Sequence, residues 1–235
     1  MATECLFRDD SYLRECEARV LAVNEQGVVL DRTVFYANSG GQPGDTGALI
    51  ASGKEVAIGN TVYLDQMKTE IAHVVAPGGQ LSVGDTITAR IDWDKRYARM
   101  RMHTALHLLS AVLPYAVTGG SVGDADGRLD FDIPEAGLDK DEITAKLADM
   151  IAANAPVTSR WISDDELTAN PGLVKTMSVK PPMGTGKVRL IEIAGYDLQP
   201  CGGTHVHATG EIGKVAVTQI EKKGKQNRRV RLAFV

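Results

Sequence analysis

The sequence changes character at Trp93. Up to residue 92 it consists of short β-type runs, among them ARVLAVN, EVAIGNTVYL and DTITARID, which are separated by glycine turns and are too short for helices. The segment 93–113 then continues without a glycine, with Asp92 before it as a helix N-cap and Pro114 after it as a stop. This contrast predicts two domains, residues 1–92 and 93–235, which suits a chain of 235 residues.

Both domains are predicted to contain antiparallel sheets. The density of strands and glycine turns in 1–92 favours a small antiparallel β-barrel-like domain or a sandwich. In 93–235 an amphipathic helix follows Asp139, with Glu142 at capping-box spacing, and three strands close the chain. Helices packed on an antiparallel sheet make the fold class α+β. The composition of residues 175–186 predicts a loop.

Composition limits the functional classes. The three cysteines have unrelated spacings, so we expect no disulfide framework and a reducing, cytoplasmic location. No run approaches the roughly 20 apolar residues of a membrane span, and the first ten residues lack the apolar core of a secretory signal. The net charge of -4 argues weakly against a nucleic-acid partner, but residues 95–101 and 222–231 form basic runs. Each run alone is more typical of a solvated helix or strand face.

Four potential metal ligands fall into two closely spaced pairs. HTALH places His103 and His107 four residues apart on the predicted helix, so both imidazoles leave the same face. CGGTH places Cys201 and His205 four apart, and its glycines predict a tight loop that turns both side chains toward one point. Two histidines on a helix are by themselves more typical of an exposed face. Together, the four supply the nitrogen and sulfur ligands that select zinc at a tetrahedral site.

The other two histidines receive different predictions. His207 follows His205 by two residues, so on an extended strand it points to the same side but lies further along. We expect it beside the ligands or at the surface. His73 has no partner in the first domain and is predicted to be structural.

The ligand set favours a catalytic metal over a structural one. Structural zinc sites more often use several cysteines in Cys-x-x-Cys pairs, whereas catalytic sites use mostly imidazole and keep a position for water. The predicted nucleophile is a zinc-bound water, held by His103, His107 and Cys201, with its pKa lowered to roughly 7. Either His205 binds permanently or it moves aside for water. The helix lacks the His-Glu-x-x-His pattern that carries a protease general base, so an ester is a better substrate than an amide.

Three segments resemble a known family. HTALHLLSA and CGGTHVHATGEIG are similar to the editing domain of alanyl-tRNA synthetases and to the free-standing AlaX proteins. TVFYANSGGQPGDTG, 33–47, resembles the glycine-rich stretch that precedes this domain, although Ala37 and Ser39 stand where proline and glycine are common. The resemblance covers nearly the whole chain. It implies a medium-length AlaX protein that acts in trans and hydrolyses tRNA(Ala) mischarged with serine, with Zn²⁺ bound by His103, His107, Cys201 and His205.

The resemblance also implies residues that contact the aminoacyl group. The family places a polar side chain facing the amino acid within VTGGS, 117–121, and Thr118 is the first candidate and Ser121 the second to read the serine hydroxyl. For each of them, an ordinary turn residue without a binding role is an equally good interpretation. The glycine-rich segment is expected to close over the pocket through Gly40, Gly41 and Gln42. The two glycines would let the backbone approach the substrate, and Gln42 would supply a side-chain amide. A plain hairpin turn is the alternative.

The basic runs gain a purpose if the substrate is tRNA. Arg96 and Arg99 precede His103 by seven and four residues, on the same helix face, and are predicted to hold phosphates of the CCA end. The final hairpin is predicted to contact acceptor-stem phosphates through Lys222, Lys223, Lys225, Arg228 and Arg229.

Two other functions remain open from the residues. The editing activity of threonyl-tRNA synthetases shares the His-x-x-x-His and Cys-x-x-x-His plan, although the glycine-rich first half argues against it. A non-catalytic, zinc-stabilised RNA-binding module with four protein ligands is the second alternative. Neither a membrane nor an obligate protein partner is indicated.

Overall fold

The computed structural model describes residues 2–133, 137–175 and 186–235. The chain divides into two compact units, Met1–Tyr97 and Ala98–Val235. Strands and helices are mixed and every sheet of three or more strands is antiparallel, which confirms the predicted fold class. Most of the loop predicted for 175–186 lies outside the described residues. Within the described ranges, no helix is long and apolar enough to cross a membrane.

The first unit is a closed six-stranded barrel in the order β2-β3-β7-β6-β5-β8, and β1 and β4 form a separate parallel pair. Its core is built by alternation along the strands: in β8, for example, Ile87, Ala89 and Ile91 are buried. The strand bounds are β1 Glu4–Cys5, β2 Glu15–Asn24, β3 Gly27–Leu30, β4 Arg32–Thr33, β5 Gly47–Ala51, β6 Lys54–Tyr63, β7 Ile71–Val75 and β8 Thr86–Ile91.

His73 is a structural residue of the barrel. Its side chain is fully buried, with Nδ1 2.9 Å from the Val28 carbonyl oxygen and Nε2 2.8 Å from Thr33 Oγ1. Gly27, beside Val28, has φ +137°, and a Cβ there would lie 2.3 Å from the His73 carbonyl oxygen. Burial lowers the pKa of His73 from 6.5 to about 4 despite the hydrogen bond to Val28, so the ring is neutral at pH 7.

Acid is expected to destabilise the first unit through His73. Its pKa is lower in the folded chain, so its contribution is complete above pH 6.5 and is lost as the pH falls from 6.5 to about 4. The loss amounts to about 3 kcal/mol in the free energy of unfolding. Denaturant titrations at several pH values measure it. The fall should be smaller by about this amount in His73→Asn.

The glycine-rich segment forms a tight turn. Ser39 and Gln42 each donate a backbone N–H to the other's carbonyl oxygen, at 3.1 and 3.0 Å, and Gly40 and Gly41 between them have φ of 57° and 83°. Two successive positive φ values define a type I′ turn, which favours glycine at both positions. The plain hairpin turn is thus present. Gln42 is fully buried.

The structure places Arg96 in the interior, contrary to the prediction that it holds phosphates of the CCA end. Its side chain has no exposed surface, and its guanidinium donates to the Asp45 carboxylate and to the carbonyl oxygens of Ser11 and Val34. Asp45 is itself buried and also accepts from the Tyr36 N–H at 2.7 Å. Arg96 is therefore an internal ion-pair residue of the first unit and is not available to RNA phosphates.

In its described residues, the second unit combines two antiparallel sheets, ordered β14-β15-β10-β9 and β11-β12-β13, with three α-helices. Helix α1 begins in the first unit at Trp93, and its residues from Ala98 onward belong to the second. The bounds are α1 Trp93–Val112, β9 Val117–Val122, β10 Asp126–Asp132, α2 Lys140–Ala152, β11 Val157–Ser163, α3 Asp164–Ala169, β12 Lys187–Ile193, β13 Asp197–Pro200, β14 Val215–Lys223 and β15 Asn227–Phe234.

The second helix follows the sequence prediction closely. Asp139 is its N-cap and accepts the backbone N–H groups of Asp141 and Glu142, which satisfies two of the free donors at the helix start. Ile143 and Leu147, one turn apart, are buried. This face lies along β14, where the Val217 N–H donates to Thr144 Oγ1 at 3.0 Å.

Candidate metal centre

Helix α1 and the loop after β13 bring four potential ligands together. His103 and His107 lie one turn apart on α1, and Cys201 and His205 lie on the loop. One ligand atom from each of the four falls within 4.8 Å of the others. Cys201 Sγ is 3.6 Å from His103 Nε2 and 3.3 Å from His205 Nε2. The side chains are buried apart from partly buried Cys201.

These separations match the edges of a tetrahedral zinc site. Zinc bonds of about 2.1 Å to nitrogen and about 2.3 Å to sulfur, at the tetrahedral angle, place the two ligand atoms about 3.6 Å apart. The two sulfur-to-nitrogen distances, 3.6 and 3.3 Å, are close to this value. The four residues thus form a group that fits a metal ion of this type.

Arg189 on β12 holds the ligand loop. The Cys201 N–H donates to the Arg189 carbonyl oxygen at 3.0 Å, and Arg189 Nη1 donates to the Gly203 carbonyl oxygen at 2.8 Å. The Gly203 N–H in turn lies 3.4 Å from Cys201 Sγ. This backbone N–H stabilises negative charge on the sulfur.

The environment sets the protonation of the ligands. Burial alone would raise the pKa of Cys201, but its neighbours, His103 first among them, lower it well below its usual value. Burial lowers the pKa of His205 to about 3, and the nearby His103 acts in the same direction. A thiolate and a neutral imidazole are the forms that bind metal.

Two histidines are oriented by hydrogen bonds on their outer nitrogens. His205 Nδ1 lies 3.1 Å from Thr104 Oγ1, and this hydroxyl donates its own proton to the Met100 carbonyl oxygen at 2.9 Å. His205 Nδ1 is therefore the donor, which leaves Nε2 facing Cys201. His107 Nδ1 lies 2.9 Å from Asp197 Oδ2. Thr104 and Asp197 were not among the residues that the sequence singled out.

Asp197 is a buried carboxylate with three polar partners. Its Oδ2 accepts from His107 Nδ1 and from Gln199 Nε2, the latter at 2.7 Å, and its Oδ1 pairs with Lys175. Burial alone would raise its pKa, but the interactions with His107 and Lys175 lower it to about 2. Burial would lower the pKa of His107, but Asp197 and Cys201 raise it to about 9.

The other predicted residues lie at defined places. Thr118, on β9, donates to Asn227 Oδ1 at 2.8 Å and has the Asp130 carbonyl oxygen 3.2 Å away. Ser121 lies on the same strand, opposite Arg128. His207 is exposed, and its backbone N–H donates to Glu211 Oε1 at 2.9 Å.

The predicted phosphate contacts fall into two groups. Lys222, Lys223 and Lys225 are exposed around the β14–β15 turn. Besides buried Arg96, the other three predicted arginines are less accessible than the lysines, because Arg99 pairs with Asp124, Arg229 pairs with Asp130, and Arg228 is buried.

Comparison with known proteins assigns the family. A family model described as "tRNA synthetases class II (A)" matches residues 6–95, and one described as "Threonyl and Alanyl tRNA synthetase second additional domain" matches 188–231. The alanyl-tRNA editing protein AlaX-M of Methanosarcina mazei is 37% identical, over 97% of this chain and 95% of its own. The chain belongs to the AlaX-M family. The AlaX-M protein of Saccharolobus solfataricus is 34% identical over 97% of both chains.

Longer relatives share the same region with AlaX-M. The alanine–tRNA ligase of Pyrobaculum calidifontis is 34% identical over 94% of this chain, which corresponds to 25% of the ligase. The second family model contains Cys201 and His205, whereas His103 and His107 lie outside both matched segments. The full-length AlaX-M matches include the glycine-rich first unit, which favours the alanyl over the threonyl editing class.

Proposed function

We propose that the protein is a trans-editing hydrolase that deacylates tRNA(Ala) mischarged with serine, with Zn²⁺ held by His103, His107, Cys201 and His205. The observation that carries this proposal is the placement of three histidines and one cysteine with one ligand atom from each within 4.8 Å of the others. When bound, zinc would supply Lewis-acid polarisation and a nucleophile at neutral pH. The names of the AlaX-M relatives support the tRNA substrate.

The chain's own residues prepare the site for that chemistry. Cys201 is favoured as a thiolate, and Thr104 and Asp197 fix the orientation of His205 and His107. Cys201 is partly buried as a residue, whereas the three histidines are buried.

Serine selection follows from hydrogen bonding. An alanine pocket rejects serine weakly, because the two differ by one hydroxyl, so a second site must remove the error. A site that hydrogen-bonds the hydroxyl rejects alanine by a factor on the order of 10⁴. Thr118, on β9, is the first candidate to hydrogen-bond the seryl hydroxyl. Ser121 is the second candidate.

For tRNA binding, Lys222 and Lys225 at the β14–β15 turn are the principal candidates, because Lys223, although exposed, pairs with Glu221 at 2.9 Å. Arg99, Arg228 and Arg229 would have to leave their present contacts to reach a phosphate. The substrate-binding roles of Gly40, Gly41 and Gln42 stay predictions. The three free cysteines support the predicted cytoplasmic location.

Charge reversal at the hairpin turn is expected to weaken tRNA binding. A Lys222→Glu/Lys225→Glu variant should lower the affinity at low salt and reduce the slope of log K against log salt by about one for each phosphate that is no longer neutralised. Filter binding across a salt series measures both. The matched control is Lys54→Glu, an exposed lysine beside the glycine turn of another hairpin. If the double variant and the control bind tRNA equally, these lysines are merely solvated.

A deacylation panel tests the proposed function. The protein is incubated with Ser-tRNA(Ala), Ala-tRNA(Ala) and Ser-tRNA(Thr), each with and without a zinc chelator. We expect rapid loss of serine from tRNA(Ala), little loss of alanine, and inhibition by the chelator that added zinc reverses. Preferred hydrolysis of Ser-tRNA(Thr) would support the threonyl class. No turnover, with unfolding on chelation, would support a zinc-stabilised RNA-binding module.

A further inference from the structure

A chain of buried polar groups extends from His107 away from the candidate metal centre. His107 Nδ1 contacts Asp197 Oδ2 at 2.9 Å, and Lys175 pairs with the second oxygen of the same carboxylate. The Asp197 side chain is 0% exposed, and that of Lys175 is 31% exposed. The chain therefore begins at a metal-ligand histidine, passes through a buried anion and ends at a cation near solvent.

We infer that Asp197 is a positioning residue that, with Lys175 as its counter-charge, holds His107 with Nε2 directed at the metal and so raises the metal affinity of the centre. The inference rests on the proposed function, because it assumes that His107 is a ligand. A carboxylate that accepts the outer N–H of a ligating histidine fixes the ring and increases the basicity of the bound nitrogen.

The strand geometry supports this role. Asp197 and Gln199 are alternate residues of β13, so their side chains leave the same face of the sheet. Gln199 Nε2 donates to Asp197 Oδ2 at 2.7 Å and lies 3.3 Å from Ser110 Oγ on α1. Gln199 thereby holds the carboxylate in line with the helix that carries His107.

Lys175 explains how a buried carboxylate is tolerated there. An isolated buried anion carries a large desolvation cost, which a hydrogen-bonded cation offsets. Lys175 pairs with Oδ1 of Asp197 and leaves Oδ2 to His107 and Gln199. The counter-charge thus stabilises the carboxylate without competing for the oxygen that contacts His107.

His205 offers an internal comparison within the same centre. Its outer nitrogen donates to the neutral hydroxyl of Thr104, whereas that of His107 donates to a carboxylate. A charged acceptor forms the stronger hydrogen bond. Removal of Asp197 should therefore weaken metal binding more than Thr104→Val does.

Zinc affinity measured against a chromophoric chelator tests the inference. We expect Asp197→Ala to raise the zinc dissociation constant about 10- to 100-fold. Asp197→Asn, which keeps one acceptor oxygen, should show a smaller increase, as should Lys175→Met. The visible spectrum of the Co²⁺-loaded Asp197→Ala protein should shift, because the His107 ring is no longer held. Circular dichroism of the metal-free proteins establishes that they are folded, and Asp197→Asn and Lys175→Met serve if Asp197→Ala does not fold.

The matched control is Glu192→Gln, which removes a carboxylate from the neighbouring strand at the position opposite Leu198. It should leave zinc affinity and the cobalt spectrum unchanged. The inference is wrong if zinc affinity is the same in wild type, Asp197→Asn and Lys175→Met and the cobalt spectra are unchanged. That result leaves the proposed function standing. If the wild type binds zinc, loses affinity on Asp197 substitution and hydrolyses no aminoacyl-tRNA, the inference stands and the proposed function fails.

Discussion

Cys201→Ala is expected to reduce the rate of Ser-tRNA(Ala) hydrolysis by more than about a hundredfold. The partner of a metal ligand typically contributes 10- to 100-fold, and loss of a ligand should exceed that range. The substitution removes the sulfur that lies 3.6 Å from His103 Nε2 and 3.3 Å from His205 Nε2. Single-turnover deacylation and the zinc content of the purified protein measure the effect, and both should fall together.

Cys16→Ala is the matched control for this experiment. Cys16 is also free and partly buried, but it lies on β2 in the first unit. It should retain wild-type zinc content and hydrolysis. Full activity in Cys201→Ala, or loss of activity with unchanged zinc content and equal loss in Cys16→Ala, would contradict the proposed role of the thiolate.

Arg96→Met is expected to lower the free energy of unfolding of the first unit by about 3–5 kcal/mol. Removal of one partner of a buried ion pair leaves an uncompensated charge, here on Asp45, which is 1% exposed. The carbonyl oxygens of Ser11 and Val34 also lose their donor. Denaturant unfolding followed by Trp93 fluorescence, in a Trp161→Phe background, measures the stability of this unit.

Two further variants make the Arg96 measurement specific. Lys95→Met removes a neighbouring cation that is 47% exposed, and its effect should remain within about 0.5 kcal/mol. Asp45→Asn combined with Arg96→Met removes both charges and should recover part of the loss. If Arg96→Met instead leaves stability unchanged and weakens tRNA binding, Arg96 contacts RNA after all.

The candidate metal centre could be predicted because its signal is local. Histidines four residues apart on a helix share a face, and a cysteine and histidine around two glycines form a second compact pair. Each pair can be recognised from residues that are close together in the sequence. If both pairs are metal ligands, the sequence predicts that they bind one common ion. The residues around the ligands gave weaker signals. Asp197 and Gln199 alternate on a strand, and alternation alone does not separate a buried polar face from a solvated one.

Arg96 shows why helical spacing is insufficient. The spacing from His103 gives the direction of a side chain but not what covers it, and Asp45 is 51 residues away in the sequence. A basic run reads as a solvated or RNA-binding face unless such a distant partner is known. The same limit applies to the barrel. The glycine turns predicted the strands of the barrel. The pairing of β2 with β8, which closes the barrel, could not be predicted because it joins segments that are distant in the sequence.

Anomalous diffraction at the zinc absorption edge, from crystals grown with zinc, tests the existence of the metal centre most directly. We expect one peak about 2.3 Å from Cys201 Sγ and about 2.0–2.1 Å from nitrogens of His103 and His107. A map without a peak among these side chains, or with zinc bound elsewhere and Cys201 out of bonding reach, would contradict the zinc-dependent hydrolase.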